Sequence, residues 1–212
     1  MKFVKKLLGI TFKDISDRPW ISSLLWYMID SKERTRKRLD LFLKDQIDNP
    51  HPDLVEVAKR FSKYKNPDRM IVEILKYVYG RVKYKYDINN FGKLEYWADA
   101  HLTWITKFDD CDGINALIYV LMRLTSSQII NNYLFCVIGK AKLRNVIDDP
   151  TSKLNHFWLL YFSPKTGKWH SIDGTYYPDL KEISRRPLFK LDEDRYISTW
   201  FLFNESYSLK QK

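Results

Sequence analysis

Met70, Ile71, Ile74, Leu75 and Val78 recur at three- and four-residue steps and predict an amphipathic helix over residues 67–80. Asn66 supplies an N-cap oxygen for it, and Pro67 suits the first helical position. Further on, Ile114-Asn115-Ala116-Leu117-Ile118-Tyr119-Val120-Leu121-Met122 is apolar almost all round. Such a run predicts a helix buried on most sides rather than one lying on a surface. It is entered through Phe108-Asp109-Asp110-Cys111-Asp112-Gly113, where Asp109 or Asp110 makes a good N-cap. Lesser helices are expected over residues 34–47, 54–61 and 98–107. Asn49-Pro50-His51-Pro52 separates the first two, because proline disfavours continued helix. Residues 87–97 read as a loop.

Beyond residue 125 the pattern changes. Tyr133-Leu134-Phe135-Cys136-Val137-Ile138 is short, apolar and rich in strand-forming residues, so it predicts a buried strand with Cys136 as a core residue. Residues 140–153 read as a loop. Residues 156–162 and 168–173 flank Ser163-Pro164-Lys165-Thr166-Gly167, a turn sequence, and together predict a hairpin. An aromatic run over residues 196–203 predicts a closing strand. Helices first and antiparallel strands later give the α+β class. Residues 1–50 read as a partly helical N-terminal extension and residues 51–212 as the main domain.

The hairpin carries the first chemical expectation. Directly paired residues share a face, and faces alternate along each strand. A four-residue loop pairs Trp158 with Asp173, and His156 lies two before Trp158 on the same face; a two-residue loop sets His156 opposite Asp173. Either register brings imidazole and carboxylate together, whereas an odd loop or a bulge separates them. His170 has the other parity and faces away. Cys111 stands at a helix start, where the helix dipole and free N–H groups favour thiolate and can hold an oxyanion. Three neighbouring aspartates oppose thiolate formation. Cysteine, histidine and aspartate are the parts of a thiol-nucleophile triad.

Composition narrows the setting. The chain has 212 residues, 45% hydrophobic and 16% aromatic, which suits a globular protein with a real core. Two cysteines, Cys111 and Cys136, exclude a disulfide framework. The apolar run Leu7-Leu8-Gly9-Ile10 is too short for a signal peptide, and no window reaches transmembrane length, so a cytoplasmic location is expected. The formal net charge is +10, with its densest run at Lys32-Glu33-Arg34-Thr35-Arg36-Lys37-Arg38. That run suits a solvated helix face or a polyanionic partner. No zinc-ligand spacing and no phosphate-binding glycine loop is present, so neither metal nor cofactor is expected.

The blocks Tyr86-Asp87, Tyr96-Trp97, Asp110-Cys111-Asp112-Gly113, Asn155-His156-Phe157-Trp158 and Ile172-Asp173-Gly174 resemble the transglutaminase-like cysteine proteases of the papain-like superfamily. The resemblance covers about residues 67–174. It implies Cys111 as nucleophile, His156 as general base and Asp173 as its orienting partner. It also implies a buried cysteine-bearing helix packed on an antiparallel sheet, with Trp97 or Trp104 lining the oxyanion site. Asp109 stands where that family usually has glycine, and Asn115 where it has a small alanine. The implied chemistry is attack on an amide bond of a protein or peptide through a thioester. Water as acceptor makes a hydrolase, and an amine makes an acyltransferase. The alternative is a catalytically silent binding or scaffold module within a larger assembly.

Overall fold

Two short strands, β1 (Lys6–Leu7) and β2 (Ile10–Asp14), precede helices α1 (Leu39–Asp48), α2 (Pro52–Lys59) and α3 (Pro67–Tyr79) in a computed structural model of the chain. A two-residue strand β3 (Lys83–Tyr84) and a one-turn helix α4 (Asp87–Asn90) lead to α5 (Ala100–Thr106), β4 (Phe108–Asp109) and α6 (Cys111–Leu124). The rest is mostly strand: β5 (Leu134–Ala141), β6 (Asn155–Ser163), β7 (Lys168–Ile172), β8 (Tyr196–Phe203) and β9 (Ser208–Gln211), with a 3-10 turn at Ile183–Arg185. The structure describes residues 6–7, 10–14, 39–93, 96–125, 133–141, 155–177, 181–189 and 196–211.

The starts of α2, α3, α5 and α6 each have a side-chain acceptor for an otherwise orphaned first-turn N–H. Asn66 accepts from Arg69 N ahead of α3, and Asp99 accepts from Leu102 N ahead of α5. Of the two aspartates before Cys111, Asp110 is the cap of α6, accepting from Asp112 N at 3.2 Å. α2 begins earlier than the apolar pattern suggests, because His51 caps it and Pro52 occupies its first turn. The segment read as a loop over residues 87–97 contains α4, whose Asp87 side chain accepts from the Tyr96 N–H and folds the segment back on itself.

α6 is the centre of the molecule. Every residue from Asp112 to Met122 is buried. α1, α2, α3 and α5 pack around it, and β6 crosses its remaining side. α1 belongs to the N-terminal extension in the sequence reading, yet its Leu39, Phe42 and Leu43 are buried in the same core as α6. The sheet has seven strands in the order β1-β2-β9-β8-β5-β6-β7, all antiparallel. Its helix-facing side presents Cys136, Phe157, Leu159, Tyr161 and Phe203, so Cys136 is the core residue its run predicts. The other side carries a smaller cluster of Phe135, Trp158, Leu160, Trp169 and Leu202. This is the α+β arrangement of a buried cysteine-bearing helix on an antiparallel sheet. No helix among the described residues is long and apolar enough to cross a membrane. The basic run at residues 32–38 lies outside the described residues.

Candidate active site

Register decides which side chains of the hairpin meet. Ser163 pairs with Lys168 and Leu159 with Ile172, leaving the four-residue loop 164–167. Continuing that ladder by one step sets Asp173 across from Trp158, as the four-residue alternative requires. His156 lies one diagonal step away on the same face. Its Nε2 and Asp173 Oδ2 are 2.7 Å apart, with both side chains almost wholly buried. His170 has the other parity and is buried elsewhere, its ring nitrogens engaging Thr166 Oγ1 at 2.7 Å and the Arg186 carbonyl at 3.3 Å.

Asp173 has more partners than the hairpin alone provides. Thr175 N and Tyr176 N donate to its Oδ1, and the Tyr196 hydroxyl donates to Oδ2 at 3.0 Å. His156 and these donors hold the carboxyl below its ordinary pKa despite burial, which acts the other way. Tyr196 arrives from β8, whose ladder with β5 shifts register before Gly139 and again before Ala141, the partner of Tyr196. A side chain at Gly139 would collide with the Ser198 carbonyl oxygen and the Trp158 ring. The imidazole stacks on Trp158 at 5.8 Å and meets the Tyr176 ring edge-on at 4.6 Å. Nothing in the spacing of residue 196 marked it as a site residue.

Cys111 is partly exposed at the start of α6, with the Phe157 N–H near enough to its sulfur to favour the thiolate. The sulfur thus lies beside the peptide group that follows His156. Asn115 fixes this approach. Its Nδ2 donates to the Cys111 carbonyl at 3.0 Å and the Phe157 carbonyl at 2.9 Å, while its Oδ1 accepts from Gly174 N at 2.8 Å. One buried amide therefore ties together the three segments that carry cysteine, histidine and aspartate. The residue that departs from alanine is a clamp.

The thiol environment differs from the helix-dipole expectation. Burial, then the charges of Asp110 and Asp112, push the Cys111 pKa well up, and the Phe157 N–H opposes them. A helix-end dipole acts as about half a charge, too little to offset desolvation plus two adjacent carboxylates. Tyr84 and Tyr176 are close enough that the Cys111 charge contributes to raising both phenols, after burial. Tyr84 is exposed and packs edge-on against exposed Tyr86 at 5.2 Å, and Tyr84 and Tyr176 are aromatic side chains that border the sulfur.

Four carboxylates, Asp87, Asp109, Asp110 and Asp112, bring ligand oxygens within 4.8 Å of one another beside the sulfur. The sequence reading expects no metal, on the absence of a zinc-ligand spacing, and the chain separates Asp87 from the other three. Asp109 lies under the helix start, accepting from the Thr103 hydroxyl at 2.6 Å and from Asp110 N at 2.9 Å. A side chain at Gly113 would sit 2.1 Å from that carboxyl carbon, so glycine is what admits Asp109. Asp112 Oδ2 is buried without a hydrogen-bond partner among the described residues. Clustered oxygen donors of this kind suit a hard divalent cation such as calcium.

Burial raises the Asp109 pKa to about 7, against the lowering effect of Thr103 and the Asp110 N–H. A carboxyl with a raised folded-state pKa favours the fold while protonated. That contribution is lost as pH rises from the unfolded value of about 3.9 through the folded one. In chelator-treated protein the melting temperature is expected to fall between about pH 4 and pH 7, reflecting a loss on the order of a few kcal/mol. Asp109→Asn, which keeps an acceptor for Thr103, should flatten that fall, with Asp112 carrying the remainder. A melting temperature that rises over the interval in both proteins would contradict this environment.

No family model matches the sequence, and no curated protein matches it. Solved structures do. Legionella pneumophila LapG is 13% identical, with 81% of this chain and 86% of that one covered at a TM-score of 0.50. The two share an α+β fold. A candidate cysteine protease from Cytophaga hutchinsonii (20% identity, 58% of this chain and 37% of that one, TM-score 0.42) is a more distant match. So is a structure described as a TGase (17% identity, 82% and 41% covered, TM-score 0.40). At these identities the likeness concerns the fold alone. Of the two tryptophans assigned to the oxyanion site by resemblance, Trp104 stacks on Tyr77 of α3 at 5.5 Å. Trp97 is buried against Phe157 at 5.1 Å, and its indole nitrogen has no hydrogen-bond partner among the described residues.

Proposed function

We propose that the chain is a thiol-dependent enzyme that cleaves or exchanges amide bonds of a protein or peptide, with Cys111 as nucleophile, His156 as general base and Asp173 as orienting acid partner. The observation that carries this is the buried 2.7 Å contact of His156 Nε2 with Asp173, one peptide group from the Cys111 sulfur. Asp173 occupies Nε2, which leaves Nδ1 for the thiol proton. With the thiol pKa pushed up, the proton leaves as the sulfur attacks, rather than in a preformed ion pair. The S–C bond forms, and the carbonyl oxygen takes the charge at the start of α6, with the Trp97 N–H as a second donor. As the C–N bond breaks, the imidazolium gives its proton to the departing amine and a Cys111 thioester remains. Water then releases an acid, or a second amine a new amide. Asp87, Asp109, Asp110 and Asp112 would hold a hard divalent cation, whose charge would offset the carboxylates that raise the thiol.

The raised thiol pKa is also the observation that favours the second reading, a silent binding or scaffold module. An activated acyl donor separates them. Incubation with p-nitrophenyl acetate in calcium-containing buffer should add one acetyl group to Cys111 by intact and peptide mass spectrometry. The adduct should be absent from Cys111→Ser. A folded wild-type protein that forms no adduct and releases p-nitrophenol no faster than Cys111→Ser would support the silent module instead.

A further inference from the structure

A second group of ligating side chains stands apart from the Cys111 site, where the start of α2 meets α5. His101 Nε2 and His51 Nδ1 lie 3.2 Å and 3.6 Å from the same oxygen, Asp53 Oδ2. The two imidazoles stack with centroids 3.4 Å apart and planes 14° from parallel. We propose that His51, Asp53 and His101 form a binding site for a zinc-class divalent ion that links α2 to α5.

The spacing is that of a ligand set. Two ligands each about 2.1 Å from a tetrahedral ion are about 3.4 Å apart, which 3.2 Å and 3.6 Å bracket. One ligand atom from each of the three residues lies within 4.8 Å of the others. Two imidazole nitrogens and one carboxylate oxygen suit zinc and its late first-row neighbours. The all-carboxylate cluster beside Cys111 suits calcium or magnesium, so the two groups select different metals. Part of the site is preset by the backbone. Pro52 lies between two of the ligands, and His51 is held extended at φ −63° and ψ 136°. The third ligand comes from 48 residues away, so an ion would bridge two helices rather than decorate one.

Near-parallel rings must turn before both lone pairs converge on one ion, and His51 Nδ1 must exchange the Asp53 N–H it caps for that ion. The side chains are 43% exposed at His51 and 25% at His101, which leaves room for that rotation. Three protein ligands leave the fourth tetrahedral position to water. α5 also carries Thr103, the hydroxyl donor to Asp109, so an ion here would fasten the helix that supports the start of α6.

The test is a calorimetric zinc titration of tag-free, full-length Cys111→Ser protein in excess calcium. The substitution removes the thiol as a competing ligand, and the excess calcium competes with zinc for the carboxylate cluster. One zinc per chain should bind saturably. His101→Ala and His51→Asn should each weaken it at least tenfold, with unchanged circular dichroism. Asparagine at position 51 keeps a cap acceptor for the Asp53 N–H and removes only the metal ligand. No saturable binding, or unchanged affinity in either folded variant, would overturn the site. Neither outcome bears on acylation of Cys111, which the serine variant cannot undergo.

Discussion

Asp173→Asn is expected to slow alkylation of Cys111 roughly ten- to a thousandfold, a loss set by how far a thiol depends on an oriented, chargeable imidazole. The carboxylate accepts from four sources: His156, Tyr196, Thr175 N and Tyr176 N. An amide of the same shape must point its NH2 at one pair of these donors. If it faces His156, it selects the wrong tautomer for taking a proton at Nδ1. If it faces the turn, two partly buried backbone N–H groups lose their acceptor, at about 1 kcal/mol each. A lower melting temperature should therefore accompany the kinetic loss. Tyr196→Phe separates the two effects, since it removes one donor to Asp173 and leaves the imidazole contact in place. Alkylation at wild-type rate in folded Asp173→Asn would show that the aspartate only supports the turn.

Asn115→Leu should be the most destabilising single change near the site, at about 2–5 kcal/mol. The side chain is fully buried and bonded to Cys111, Phe157 and Gly174. Leucine fills much of the volume but leaves the Gly174 N–H without an acceptor, and two carbonyls each lose a donor. Asn115→Ala restores the small residue usual in the family the sequence resembles. Here it also opens a cavity between α6 and β6, so it too should destabilise. Urea denaturation measures both, and Cys111 labelling under native conditions reports whether the nucleophile keeps its place. An alanine variant as stable and as reactive as wild type would mean that the clamp holds nothing together.

Much of this site was legible because its parts follow local periodicities. The run from residue 114 to 122 is too apolar for a surface helix, and α6 is the buried centre of the fold. Parity along the hairpin requires His156 and Asp173 to share a face once the loop has four residues, as it does. Other parts depend on contacts between distant segments. β9 is four residues, Ser208–Gln211, and is a strand because β8 and β2 flank it. Tyr196 reaches Asp173 after two register shifts of β8 against β5, before Gly139 and before Ala141. Asp87 joins Asp109, Asp110 and Asp112 because α4 folds beneath the start of α6, a juxtaposition that no spacing encodes. The thiol environment was half legible: the helix dipole and three aspartates are in the sequence, but their balance turns on burial. Asn115 stood out as a departure, and its use required the three carbonyl and amide partners to be seen together.

The most direct measurement is the rate of Cys111 alkylation by iodoacetamide, read by peptide mass spectrometry in calcium-containing buffer, with buried Cys136 as an internal reference. Wild-type protein should label at Cys111 and hardly at Cys136. His156→Ala should slow Cys111 roughly tenfold or more while the protein remains folded, because the thiol has then lost its base. Equal rates at Cys111 in wild type and folded His156→Ala would contradict the account, since the histidine would then take no proton from the thiol.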